Sequence, residues 1–232
     1  MNQAKVRDKV KRYVVFIIGL YVNALGVAFV TKASLGTSPI TSIPYVSSLN
    51  FKPSLGNFTI IMSIVLILLQ ILILRKDFKL EHALQIPVSF AFGYMIDFCM
   101  WSTPFINPQL YSVKILCLLT GCVILGFGVW MEVIADVVML PGESFVRAVA
   151  FKLNKEFGFI KIFFDSSLAV IAVILSFVLS GQLQGVREGT VITALIVGFI
   201  ARWIGKFLHF VPGKIFLTAP VTNAENAQVA HK

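Results

Sequence analysis

The chain has 232 residues, 57% of them hydrophobic and only 13% charged, with a mean hydropathy of +0.87. A soluble domain carries about 25% charged residues, so this composition excludes one and points to a polytopic membrane protein. The net charge of +9 sits in basic residues between and beside apolar runs, where the positive-inside rule accounts for it without nucleic acid.

Residues 1–12 hold Lys5, Arg7, Lys9, Lys11 and Arg12 and read as a cytoplasmic flank against anionic headgroups. The first apolar run, 13–32, has no A-x-A-like cleavage site after it and reads as a retained span. Asn23 and Gly26 interrupt it, and a small residue in a membrane helix lets a neighbour approach closely. The run breaks at Leu35-Gly36-Thr37-Ser38-Pro39. Proline suits the first turn of a helix, where its missing N–H would be unpaired anyway. A short helix is therefore expected over 39–50, with Thr37 or Ser38 capping it through a hydroxyl. It is too short to cross a bilayer, which needs about 20 residues, and a re-entrant half-helix fits it.

A second span is expected over 58–74, then a charged cytoplasmic loop over 75–79. A third over 83–101 contains Pro87, Gly93 and Asp97, and the uncharged segment 102–109 reads as external. The fourth, 111–131, leads through Glu132 and Asp136 to a second break at Leu140-Pro141-Gly142-Glu143-Ser144. A second short, basic segment follows over 141–154. The fifth span, 159–179, starts with Lys161 and Asp165. A polar loop holds Arg187 and Glu188, and the sixth span, 190–210, carries Arg202. The polar tail from 212 has no apolar periodicity and reads as disordered.

The halves register on each other. Gly26, Ala33, Pro39, Ser42 and Gly56 recur as Gly128, Ala135, Pro141, Ser144 and Gly158, all 102 residues on; after a small insertion Gly93 recurs as Gly198. Each half has three spans and one short helix. An odd number of spans places the second half upside down, so the expected architecture is all-α, with six transmembrane helices in two inverted three-helix repeats. Broken helices in such repeats are a plan of secondary transporters, with half-helix tips at the midplane.

Several motifs then resemble one family: Glu132-Val133 with Ala135 to Glu143, Glu156-Phe157-Gly158 with Lys161 and Asp165, Gly185 to Ile192, and the stretch at 35–39. They are similar to the YczE/YitT-like bacterial integral membrane proteins, and the likeness reaches to about residue 205. It implies a plasma-membrane protein of this size with duplicated halves, and no defined activity.

Charges inside apolar runs are costly, about 2.5–3.5 kcal/mol at the centre on insertion scales, so they head the candidates. Glu132 and Asp136 would share a face of a continuing helix and suit a proton or sodium site, or pair with a basic side chain. Glu143 would sit at the positive start of the second short helix. Lys161 and Asp165 could neutralise each other, or Lys161 could face Glu132 or Asp136. Arg187 and Glu188 would gate the outer side or be solvated. Asp97 and Arg202, counterparts in the repeat, would pair across the halves or reach a surface. The substrate side would be Thr37, Ser38, Pro39, Thr41 and Ser42 with Asn23 and Arg202. The ion-coupling or gating side would be Glu132, Asp136, Glu143, Lys161, Asp165, Asp97, Arg187 and Glu188.

No catalytic, P-loop or metal-ligand motif is visible, and His82, His209 and His231 lie at span edges or in the tail. Cys99, Cys117 and Cys122 read as buried thiols rather than a disulfide framework. The expectation is a non-enzyme with no cofactor or metal, embedded in the bacterial inner membrane with both termini cytoplasmic. Its regions are a flank over 1–12, repeats over 13–105 and 106–211, and a tail over 212–232. It would move a small polar or anionic metabolite by alternating access, coupled to protons or sodium; a homodimer is compatible with the sequence. The rival readings are the substrate-binding subunit of an ATP-driven vitamin or metabolite importer, and a non-transporting regulatory membrane protein.

Overall fold

A computed structural model describes residues 3–75, 83–208, 211 and 216. The loop and His82 within 76–82, His209, and the tail over 212–232 apart from Phe216 lie outside the described residues. Those described form eight helices and no strand: α1 (Gln3–Lys32), α2 (Pro39–Asn50), α3 (Leu55–Leu74), α4 (Gln85–Ser102), α5 (Tyr111–Ala135), α6 (Pro141–Leu153), α7 (Phe157–Ser180) and α8 (Glu188–Phe207). Five of them, α1, α3, α5, α7 and α8, are long and apolar enough to cross a membrane. The expected third span is α4, a helix of 18 residues that falls outside those five, with Gln85, Pro87 and Asp97 diluting its apolar run.

The flank is not a separate arm. Helix α1 already begins at Gln3, and Arg12 is tied into the bundle. Its Nε donates to Asp8 Oδ2 at 3.2 Å and Nη1 donates to Ala135 O at 3.2 Å. Its guanidinium also lies 4.6 Å from the centre of the Phe216 ring, and Phe216 packs on Trp130 and Ile134. A cation at the end of α5 satisfies one of the carbonyls that a helix terminus leaves open.

The two breaks are local and have named causes. After Lys32 the chain turns through Ser34 (φ 57°) and Gly36 (φ 111°), the latter in a region that side chains avoid. Ser38 is extended (φ −65°, ψ 151°), as a residue before proline prefers, and Pro39 opens α2. In the second half α5 stops because Asp136 is left-handed (φ 49°, ψ 48°), Leu140 is extended (φ −60°, ψ 148°) and Pro141 opens α6. Ser38 makes no side-chain cap to α2, contrary to the expectation; its hydroxyl meets that of Thr41 instead, at 2.7 Å.

Helix α1 crosses α5 at the centre. Glycine makes that possible: a methyl group at Gly26 would lie 2.6 Å from Leu125 N, and one at Gly128 would lie 2.5 Å from Asn23 N. The crossing is closed by Leu20, Ala24, Val27 and Ala28 with Leu125, and by Phe92 and Ile96 of α4. Within the apolar window of α1 56% of residues are buried, against 17% in α7 and in α8, so α1 is central and the last two helices face outward.

Around this axis the packed pairs nearly repeat when each helix is exchanged for its counterpart in the other half. α1 lies on α4 and α5 on α8; α2 lies on α7 and α6 on α3; α2 meets α3 and α6 meets α7. Helices α1, α4 and α7 begin at one end of the bundle, the near end, where α3, α5 and α8 finish. The short helices run oppositely. Ser42 reaches Leu168 O, and Val46 packs on Ala172 and Val186, so α2 runs to the far end. Val146 and Ala150 pack on Ile160 beside the start of α7, so α6 runs to the near end. Their starts meet inside the bundle: Pro39, Pro141 and Gly142 are buried, and Ile40 of α2 occupies the space that a side chain at Gly142 would need.

Candidate functional site

Three buried polar groups surround the meeting helix starts. The first is a chain of hydroxyls at the first break. Thr37 Oγ1 lies 3.0 Å from Thr31 Oγ1 and 2.8 Å from Thr41 Oγ1, and Thr41 Oγ1 also donates to Ser38 O at 3.1 Å. Ser42 Oγ donates to Pro39 O at 2.5 Å and reaches Leu168 O at 3.5 Å. Helix α8 seals this cluster. Gly189 N donates to Leu35 O at 2.7 Å, and Thr37 N donates to Thr190 Oγ1 at 3.3 Å. Each hydroxyl here already has a partner within the cluster, and all of these residues are buried.

The second group lies at the start of α6. Ser144 Oγ accepts from Gln70 Nε2 of α3 and from Gln85 Nε2 of α4, each at 2.8 Å. Gln70 and Gln85 are 1% and 2% exposed, and the Oε1 atom of each has no partner. An unpartnered buried amide oxygen costs about 1–3 kcal/mol, and here two belong to glutamines that share one serine.

The third group joins α1 to α5. Asn23 Nδ2 donates to Glu132 Oε1 at 2.9 Å, in the last turn of α5. Asn23 is 5% and Glu132 9% exposed. A charge taken out of water needs full pairing, and one neutral amide does not supply it.

Of the other candidates, Asp136 and Asp97 lie apart from their expected partners, and the rest take one of the places expected for them. Helix α5 stops at Ala135, so Asp136 does not continue the face of Glu132; it caps the helix and is exposed. Asp97 does not meet Arg202. Its carboxylate accepts from Ser54 Oγ at 2.5 Å and from Gly56 N at 2.8 Å, at the start of α3, where a helix N-terminus favours negative charge. Arg202 is exposed, and its Nε donates to Gly198 O at 3.1 Å in its own helix. Lys161 and Asp165 form the intrahelical pair at 2.9 Å, so Lys161 turns to Asp165 rather than to Glu132 or Asp136. Glu143 lies half-buried in the first turn of α6. Arg187 and Glu188 are exposed, 3.4 Å apart, and Arg187 Nη1 reaches Ser34 O at 3.5 Å across the first break.

Sequence reasoning brought together Thr37, Ser38, Pro39, Thr41 and Ser42, and placed Asn23 with them rather than with Glu132. It passed over Gln70 and Gln85. The signal was available, because a glutamine inside an apolar run is costly for the same reason as a charge.

Comparison with known proteins gives the chain a family without an activity. The profile of a family of unknown function, DUF6198, matches residues 10–206. The "Uncharacterized membrane protein YczE" of Bacillus subtilis (strain 168) is 23% identical over 198 residues, covering 85% of this chain and 86% of that protein. The "Uncharacterized protein YyaS" of the same organism is 26% identical over 120 residues, covering 50% of this chain and 57% of that protein. No solved structure matches the chain significantly. The YczE likeness read from the motifs therefore spans most of the sequence, and the molecule is a multi-pass membrane protein.

Proposed function

The chain belongs to the family of unknown function DUF6198, and we propose that it is a secondary transporter of a small polar or anionic metabolite. The carrying observation is the pair of buried, unpartnered amide oxygens of Gln70 and Gln85 over Ser144. They stand at the start of a short helix that meets the start of its counterpart. The free oxygens suit the N–H or O–H donors of a ligand, and the positive end of α6 suits an anionic group on it.

What supports two inverted three-span repeats, with α4 as the sixth span, is the exchange symmetry of the packed pairs and the opposite directions of α2 and α6. In this reading α2 and α6 are re-entrant half-helices. Arg7, Lys9, Lys11, Arg12, Arg75, Arg147, Lys152 and Lys155 lie in or beside helices toward the near end, and the positive-inside rule supports a cytoplasmic near end in a bacterial inner membrane. The hydroxyl cluster closed by α8 is then the shut outer side. Coupling moves from the pair Glu132 and Asp136 to Glu132 alone, whose buried carboxyl takes a proton or sodium ion.

A thermal-shift screen of metabolites on the purified protein tests the reading, since a binder of the native state raises its apparent stability. A hit is expected to lose about tenfold or more in affinity in Ser144→Ala, which frees both amides at once. A hit that ignores Ser144→Ala would move the site elsewhere, and no hit across the screen would favour the regulatory reading.

A further inference from the structure

The exchange symmetry breaks most at one packed pair. Helix α3 lies along α4, and the contact closes at glycines: a methyl group at Gly93 would lie 2.7 Å from Gly56 O. Beside it Ser54 Oγ and Gly56 N hold Asp97. The counterparts α7 and α8 retain the glycines, Gly158 standing 102 residues after Gly56 and Gly198 standing 105 after Gly93. Yet α7 and α8 do not pack along each other. Among the described residues, a methyl group at Gly198 would meet nothing within 4 Å, and one at Gly158 only Glu156 Oε1 at 3.7 Å.

The polar partners correspond as well. Glu156 precedes α7 as its N-cap, as Ser54 precedes α3. Arg202 stands on α8, 105 residues after Asp97 on α4. Glu156 and Arg202 are exposed, and the described bond of Arg202 is to a carbonyl of its own helix. Where the first half has a hydroxyl and a carboxylate already joined, the second has a carboxylate and a guanidinium standing apart.

We infer that Glu156 and Arg202 are a latch. In a second state α7 closes on α8 at Gly158 and Gly198, and Arg202 donates to the Glu156 carboxylate. Helix α4 meanwhile parts from α3, and Asp97 leaves Ser54 and Gly56. Small residues at a helix crossing permit such close approach, and an exposed ion pair is weak enough to reopen. The inference rests on the carrier reading: in the described state Ser54 and Gly56 hold Asp97 at the far end, and Glu156 with Arg202 would hold the near, cytoplasmic end in the other.

The test uses the full chain with Cys99, Cys117 and Cys122 replaced. One variant carries Glu156→Cys with Arg202→Cys, another Ser54→Cys with Asp97→Cys, and a third all four. Oxidative cross-linking in membranes is expected to join each pair, and the two bonds are expected to exclude each other in the four-cysteine chain. Added to the chain with Ser54→Cys and Asp97→Cys, Arg202→Glu, which sets like charges together, is expected to raise the 54–97 cross-linking rate over that of the same chain with Arg202, by about fivefold. Flux without any 156–202 bond, or both bonds in one molecule, would overturn the latch and leave the carrier. Exclusive bonds in a protein that binds ligand without moving it would overturn the carrier and leave the latch.

Discussion

Gly26→Leu is expected to yield no monodisperse protein from membranes, while Gly198→Leu is expected to fold. Both replace a helical glycine by leucine, and helix propensity alone would favour both, by up to about 1 kcal/mol. Packing decides otherwise. At Gly26 the first added carbon lies 2.6 Å from the backbone nitrogen of Leu125 and 2.7 Å from its Cα, and backbone in the middle of α5 cannot swing aside as a side-chain tip would. Overpacking costs about 1–3 kcal/mol even where side chains can adjust, and a domain has only about 5–15 kcal/mol to lose. The symmetric contact at Gly128 against Asn23 predicts the same outcome for Gly128→Leu. At Gly198 nothing stands within 4 Å, so stability should change by less than about 0.5 kcal/mol. If α7 closes on α8, however, the leucine blocks the closure, and Gly198→Leu should fold and fail to transport. Size-exclusion profiles and thermal melts of the four proteins, wild type included, settle the first part.

The second large effect belongs to Asn23 and Glu132. Asn23→Leu removes the amide that meets Glu132 Oε1 at 2.9 Å and leaves the buried carboxyl without it, a loss of about 2–3 kcal/mol. Glu132→Gln keeps an acceptor at the same place, so the bond and the fold survive within about 1 kcal/mol. It removes the group that can exchange a proton or bind a cation. Thermal melts should therefore separate Asn23→Leu from Glu132→Gln clearly. Flux in proteoliposomes under an imposed ion gradient should show no concentrative uptake by Glu132→Gln. Gradient-driven uptake at the wild-type rate in that variant would remove Glu132 from the coupling.

What the sequence carried about this molecule follows physical lines. Proline marks helix starts chemically, so α2 and α6 were legible to the residue at Pro39 and Pro141. Gly26 and Gly128, 102 residues apart in the sequence, each stand against the other's helix, Gly26 at Leu125 and Gly128 at Asn23. The end of α5 was not legible. A left-handed cap is usually glycine, and here it is Asp136, so the apparent shared face with Glu132 is lost at the helix end. Asp97 was read as pairing with Arg202 or reaching a surface, whereas backbone and hydroxyl donors at a helix start serve it. Lys161 and Asp165 lie four residues apart on one helix, and that spacing alone foretold their pair. Asn23 with Glu132, and Gln70 with Gln85 over Ser144, join helices far apart in the chain, and no local pattern announces such partners.

The most direct measurement concerns access to the place where the two short helices meet. Leu140, half-buried at the start of α6, is changed to cysteine in a chain lacking Cys99, Cys117 and Cys122. It is then exposed to a membrane-impermeant thiol reagent in right-side-out and in inside-out vesicles. The expected result is labelling from both faces, each slowed when the opposite end is cross-linked shut. Labelling from one face alone, unchanged by either cross-link, would contradict alternating access.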